Sequence, residues 1–208
     1  MKNIKILIAI PVHSHCEPET MQSVYALKVP NGVAAELLFI KGYTVAVARN
    51  RLAEHSLRNG FDYTFFVDGD IILPPDALEK LLFVNAGIAA GWYIKKIPGK
   101  EIPELYKNNG EGKTVNITVV PENELLPIAG CGFGCALINN SVFRSLGERN
   151  WFKYIHEDSG FLCSEDIDFC VRAAGKGVQI VADTSLCCPH IGQYIYIPQN
   201  RYSNGGTS

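Results

Sequence analysis

Residues 65–75 read FFVDGDIILPP, and two carboxylates interrupt what is otherwise the apolar run of a buried strand. A charge placed there is costly unless something compensates it. Working outward, residues 63–67 form a strand that ends at the aspartates. In an open α/β sheet, ligands bind beyond the carboxyl ends of the strands, so Asp68 and Asp70 are delivered to that edge. If the chain stays extended there, residues two apart point the same way. Two convergent carboxylates suit a hard divalent cation, Mg2+ or Mn2+, which is typically held together with substrate phosphates. Gly69 lets the backbone pass close to a bulky ligand. The plain alternative is an ordinary Asp-Gly turn leaving a strand. Phosphoaspartate chemistry is not expected, because Ile72 stands where that pattern carries a threonine.

The flanking sequence sets the fold class. Residues 5–10 are a nearly continuous apolar, β-branched run, as in a parallel strand covered on both faces. Residues 36–40 are a second short strand. Thr44 then caps a helix carrying Val45, Ala48, Leu52 and Ala53, with Gly60 just past its end. Pro75 and Asp76 open a helix that runs to about Val84, and residues 88–94 are again strand-like. Strands alternating with helices predict an α/β sheet with parallel neighbours. Residues 104–120 read as a hairpin around Asn108-Asn109-Gly110-Glu111-Gly112, a smaller antiparallel insertion over one end of the sheet. Strand-like pieces at 125–129 and 133–138 flank a glycine-rich bend. Ser141 caps a short helix ending at Gly147, and Ser164 caps another through Ile167, Cys170, Val171 and Ala174, with Gly175 as its stop. Residues 178–182 are the last strand. The expected organisation is one domain over residues 1–198 and a polar, Gly-rich tail over 199–208, mobile or tied down by something else.

Composition narrows the function classes. The chain has 208 residues, 47% of them hydrophobic, with a formal net charge of −2. No basic stripe stands out, which argues against a general nucleic-acid binder. No segment holds 18 apolar residues in a row, so no transmembrane span is expected. The apolar N-terminus ends at Pro11-Val12-His13-Ser14-His15 without a small-residue cleavage site, and reads as a strand rather than a signal peptide. Of seven cysteines, Cys131, Cys135, Cys163, Cys170 and Cys187 lie in or beside apolar runs. Buried thiols in a reducing, cytoplasmic setting are the expectation. Their spacings do not repeat as a structural zinc site would.

Three further segments carry chemistry. Arg49 lies near the start of a helix, where the dipole disfavours a cation, so it is read as serving an anion, a diphosphate or nucleotide; a solvated surface arginine is the alternative. Glu165 and Asp166 sit in a first helical turn, away from the apolar stripe. A carboxylate at such a helix mouth is able to take a proton from an attacking hydroxyl. The alternative there is ordinary pairing with the helix dipole. His190, after the last strand, is able to complete a metal site with its neutral imidazole, or is structural. Trp151, Phe152 and Tyr154 form either an apolar wall for a ligand ring or part of the core.

The order of these segments, IAIPVH, VARNRLAEHSL, DYTFFVDGDIILPPDAL, GCGFGCALINNSVF, SEDIDFCVRAAGKG and CPHIG, resembles the nucleotide-sugar glycosyltransferases of the GT-A fold. The likeness is to glycosyltransferase family 2 and related fungal-type mannosyltransferases, and spans residues 4–192. It implies a twisted, mostly parallel Rossmann-like sheet with a smaller antiparallel piece. It also implies a nucleotide-sugar donor seated near Pro11, Val12 and His13, and an acceptor that is a carbohydrate or another hydroxyl compound. By that resemblance Asp70 holds Mn2+ or Mg2+, Asp68 serves the metal or the ribose, and His190 is a further metal ligand. Asp166 matches the general base of inverting members, Glu165 positions the acceptor, and Lys95 reaches phosphate or acceptor. The Gln-x-x-Arg-Trp stretch of polymer synthases is missing, so a processive synthase is not expected. Two other classes stay open: a nucleotidyltransferase making sugar nucleotides, which should carry a Gly-rich loop after the first strand, and a non-catalytic nucleotide-sugar binding module.

Overall fold

The computed structural model describes residues 3–110, 113–147, 149–156, 162–193 and 195–197. Along the chain run β1 (Ile4–Val12), α1 (Pro18–Tyr25), β2 (Val33–Lys41), α2 (Val45–Arg58), β3 (Tyr63–Val67), α3 (Ala77–Val84) and β4 (Ile88–Trp92). There follow β5 (Leu105–Asn108), β6 (Thr114–Asn116), β7 (Leu125–Pro127), β8 (Gly130–Cys131), β9 (Cys135–Asn139) and α4 (Asn140–Leu146). The chain continues with β10 (Ile155–His156), β11 (Leu162–Cys163), α5 (Glu165–Ala174), β12 (Ile180–Cys187), β13 (His190–Ile191) and β14 (Ile195–Tyr196). A seven-stranded sheet in the order β2-β1-β3-β9-β4-β12-β7 forms the centre, and β6-β5-β8 make a small antiparallel sheet. In the large sheet β9 and β7 run against the other strands. The α/β, mostly parallel class with a smaller antiparallel piece therefore holds. The expected polar tail lies outside the described residues.

Alternation along the strands divides the core. Leu7, Ala9 and Phe66 face one side, where α2, α4 and α5 supply Leu52, Phe143 and Phe169. Ile6, Ile8, Ile10, Phe65 and Val67 face the other, against Val24 of α1 and Leu78 and Leu81 of α3. Helices on both faces explain why β1 is buried along most of its length. Trp151 and Phe152 belong to this core rather than to a sugar-binding wall: Phe152 stacks on Phe169 with centroids 4.8 Å apart, and the Trp151 indole donates to the Phe143 carbonyl. Cys131, Cys135, Cys170 and Cys188 are fully buried thiols. Cys188 points inward where Cys187 was expected to, because the strand register shifts between Ala182 and Cys187.

Some local expectations change. Helix α1 was not read in the sequence, because Ser14-His15-Cys16-Glu17 offers a weak start. Asn139, not Ser141, caps α4, its side chain accepting from the Ser141 amide. Thr44 and Ser164 stand at N-cap positions without a side-chain cap bond. Among the described residues no helix is long and apolar enough to cross a membrane.

Candidate active site

Strand order locates the site. From β1 the chain crosses through α1 to β2 on one side; from β3 it crosses through α3 towards β4 on the other. The crevice between the ends of β1 and β3 is thus a topological switch point, where open α/β sheets bind ligands. A cavity of about 730 Å3 opens there, lined by Pro11, Val12 and His13 from the end of β1 and by Asp68 and Asp70 from the end of β3. Arg49, Glu165, Asp166 and His190 also line it. The volume falls within the usual range for small-molecule sites.

The Asp-Gly-Asp segment does not stay extended. The Ile71 amide donates to the Asp68 carbonyl at 3.2 Å, closing a turn. The two aspartates therefore pair with different cations, while both line the cavity. Asp68 accepts from Arg49 Nη2 at 2.8 Å, whereas Asp70 accepts from Lys96 Nζ at 2.5 Å. The backbone passing close to Gly69 belongs to Cys16, 3.4 Å from where a Cβ would sit, and is the chain's own rather than a ligand.

Arg49 is 2% exposed and lies over the Phe66 and Phe133 rings, 6.0 and 5.6 Å from their centroids. Its Nη1 donates to Glu165 at 2.5 Å and stands 3.9 Å from Asp166. Both amino groups are thus engaged by the protein's own carboxylates. Arg49 serves an anion, as read, and the anions it meets here are the protein's own carboxylates, while its side chain still lines the cavity. Burial alone would lower its pKa; Asp68 and Glu165 outweigh that and hold the guanidinium firmly charged. Glu165, expected at an open helix mouth, is 4% exposed because α5 starts directly on Arg49. Burial raises its carboxyl pKa even against Arg49, and does the same to Asp68.

Asp166 remains at the cavity wall. Its Oδ1 accepts from Ser164 Oγ at 2.5 Å and from the Ile167 amide at 2.8 Å. These two bonds fix the carboxylate and leave Oδ2 on the side of Arg49.

Backbone pairing brings His190 to Asp70. The Ile72 amide donates to the Pro189 carbonyl and the Ile191 amide to the Asp70 carbonyl, which lays β13 against the turn. His190 Nδ1 donates to the Ile94 carbonyl at 2.8 Å, since a carbonyl only accepts. In the neutral ring Nε2 is then the lone-pair nitrogen, and it faces Asp70 Oδ1 at 3.5 Å. A lone pair aimed at a carboxylate calls for a proton or a metal cation between them, and a histidine bound to a backbone carbonyl through its other nitrogen is the usual arrangement of a metal ligand. Adjacent ligands of Mg2+, each roughly 2.1 Å from the ion, stand about 3 Å apart, so this pair needs to close only slightly. Asp70 and His190 fit a divalent cation as two protein donors. Among the described residues no group of three or more His, Cys, Asp or Glu side chains is gathered to hold one, so the expected triad with Asp68 is not assembled. The cause is the turn that swings Asp68 onto Arg49.

Lys95 is not at the cavity. It stands 4.0 Å from Glu104 and over the Tyr106 ring. Its neighbour Lys96 lines the cavity instead, with Tyr93 and Glu104. The Lys-Lys pair was the sequence signal; choosing between them requires the Ile94–Pro103 bridge, which fixes which side chain turns to the edge. Tyr93 was missed, although the glycines opposite it mark its place. A Cβ on Gly132 would come 2.2 Å from its hydroxyl, and one on Gly134 2.9 Å from its ring.

Fold and strand order define a GT-A-like architecture. No protein-family model matches the chain, and no curated protein matches it in sequence. Among solved structures it is similar to A197 from STIV, with a TM-score of 0.57 and 15% identity over 98% of this chain and 99% of that one. It is also similar to S. aureus TarS 1–349 in complex with UDP-GlcNAc, with a TM-score of 0.52 and 10% identity over 88% of this chain and 57% of that one. At these identities what is shared is the fold.

Proposed function

We propose that the protein is a glycosyltransferase that moves a sugar from a nucleoside-diphosphate donor to an acceptor hydroxyl with inversion. One observation carries this reading: at the switch-point cavity, the Asp70–His190 donor pair and the anchored Asp166 carboxylate face a common space. TarS, to which this chain is similar in fold, was crystallised in complex with UDP-GlcNAc, a precedent for a nucleotide-sugar ligand.

In this mechanism the nucleoside lies along Pro11, Val12 and His13, with Asp68 reaching a ribose hydroxyl. Asp70 and His190 would hold Mn2+ or Mg2+, and the ion would supply Lewis-acid stabilisation of charge on the departing diphosphate. Asp166 accepts the proton of the acceptor hydroxyl as that oxygen attacks the anomeric carbon opposite the leaving group. Glu165 acts through Arg49, holding the acids in place. The loop after β1 supplies no Gly-rich phosphate cradle, which disfavours the nucleotidyltransferase class.

The test is hydrolysis and transfer of UDP-, GDP-, CMP- and dTDP-sugars with Mn2+ and with a chelator. The expected result is turnover of at least one diphosphate donor that falls to background on chelation. Donor binding without metal-dependent turnover would instead support the non-catalytic module.

A further inference from the structure

We propose that Lys96 is the resident cation of the Asp70–His190 pair and competes there with a divalent cation, so that the donor's phosphates, by drawing the lysine away, favour metal loading. This rests on the reading of Asp70 and His190 as metal donors. Lys96 Nζ sits on Asp70 Oδ2 at 2.5 Å while Oδ1 of the same carboxylate faces His190. A divalent ion on that carboxylate would stand within a few ångströms of the ammonium, and two cations so close repel. The lysine therefore competes with the metal for that carboxylate.

The path of the side chain is built into the fold. A Cβ on Gly192 would come 3.0 Å from Lys96 Cδ and 3.1 Å from the Tyr196 ring. The lysine stem thus crosses β13–β14 at the position where no side chain stands. The pair is held loosely enough to exchange: the Lys96 and Asp70 side chains are 33% and 34% exposed, and ion pairs in that setting are weak. A flexible lysine is a mobile point charge well suited to phosphate, and phosphate oxygens normally complete the shell of an ion held by one or two protein groups. The donor diphosphate thus supplies both what the lysine moves to and what the metal lacks.

The test is Mn2+ binding, read from the electron paramagnetic resonance signal of the free ion. It is measured in wild type, Lys96→Met and Gly192→Ala, without nucleotide and with each of UDP, GDP, CDP and dTDP. Lys96→Met removes the ammonium; Gly192→Ala keeps it but puts a methyl group under its stem. Lys96→Met is expected to bind Mn2+ about tenfold more tightly than wild type without nucleotide, and Gly192→Ala, which displaces the stem by only tenths of an ångström, by less. The gain in Mn2+ affinity on adding a nucleoside diphosphate should shrink in both. Equal Mn2+ affinity in all three proteins overturns the proposal and leaves the metal site standing. Tightening in Lys96→Met with the nucleotide-dependent gain in Mn2+ affinity left at its wild-type size is a general charge effect and also overturns it. No Mn2+ binding by any of the three, with any nucleotide, removes the metal site itself.

Discussion

Arg49→Met should lower stability by about 3–5 kcal/mol, the usual cost of removing one partner from a buried ion pair. The substitution preserves most of the apolar stem between Phe66 and Phe133 but strands Glu165, whose side chain is 5% exposed, and releases Asp68. For a domain of this size that amounts to a fall in Tm of roughly 10 °C. The cost lies in the orphaned charge rather than in lost packing, so Glu165→Gln in the Arg49→Met background should recover part of it. A double-mutant cycle by urea denaturation measures the coupling. Arg49→Lys should not restore wild-type stability, because a single ammonium cannot span Asp68 and Glu165 as the guanidinium fork does. Arg49→Met at wild-type stability would show that the buried cluster does not organise the site.

Asp166→Asn should reduce sugar transfer by about 10²–10⁴-fold, the range for loss of a general base. The replacement is close to isosteric, and its carbonyl oxygen is able to accept from Ser164 Oγ and the Ile167 amide as Oδ1 does. Tm should therefore stay near wild type, and donor binding should persist. What is lost is the proton acceptor. Measured with a single donor and Mn2+, the change should appear in kcat rather than in the donor KM. Donor hydrolysis and transfer unaffected by the substitution would remove Asp166 from the base role.

The fold was legible where local physics is strong. The apolar run before Pro11, the strand ending at Val67 and the α5 stripe through Ile167 and Cys170 each carry a period that permits one reading. The antiparallel insertion of β9 between β3 and β4 was not legible, because strand order is decided by partners far along the chain. At the site, sequence named nine of the residues that line the cavity but not how they pair. Asp-Gly-Asp reads equally well as an extended segment or a turn, and the turn formed here sends its carboxylates to Arg49 and Lys96. The pairing of Arg49 with Glu165 was not legible for the same reason: the two lie 116 residues apart in sequence.

The central claim is that Asp70 and His190 hold a cation through which the cavity binds a diphosphate. Calorimetric titration of UDP, GDP, CDP and dTDP into wild type and Asp70→Asn, with and without Mn2+, tests it most directly. The account predicts that at least one nucleotide binds wild type in a Mn2+-dependent manner, and that Asp70→Asn weakens that binding by about tenfold or more. Binding that ignores both Mn2+ and the substitution, or no binding of any of the four, would contradict it.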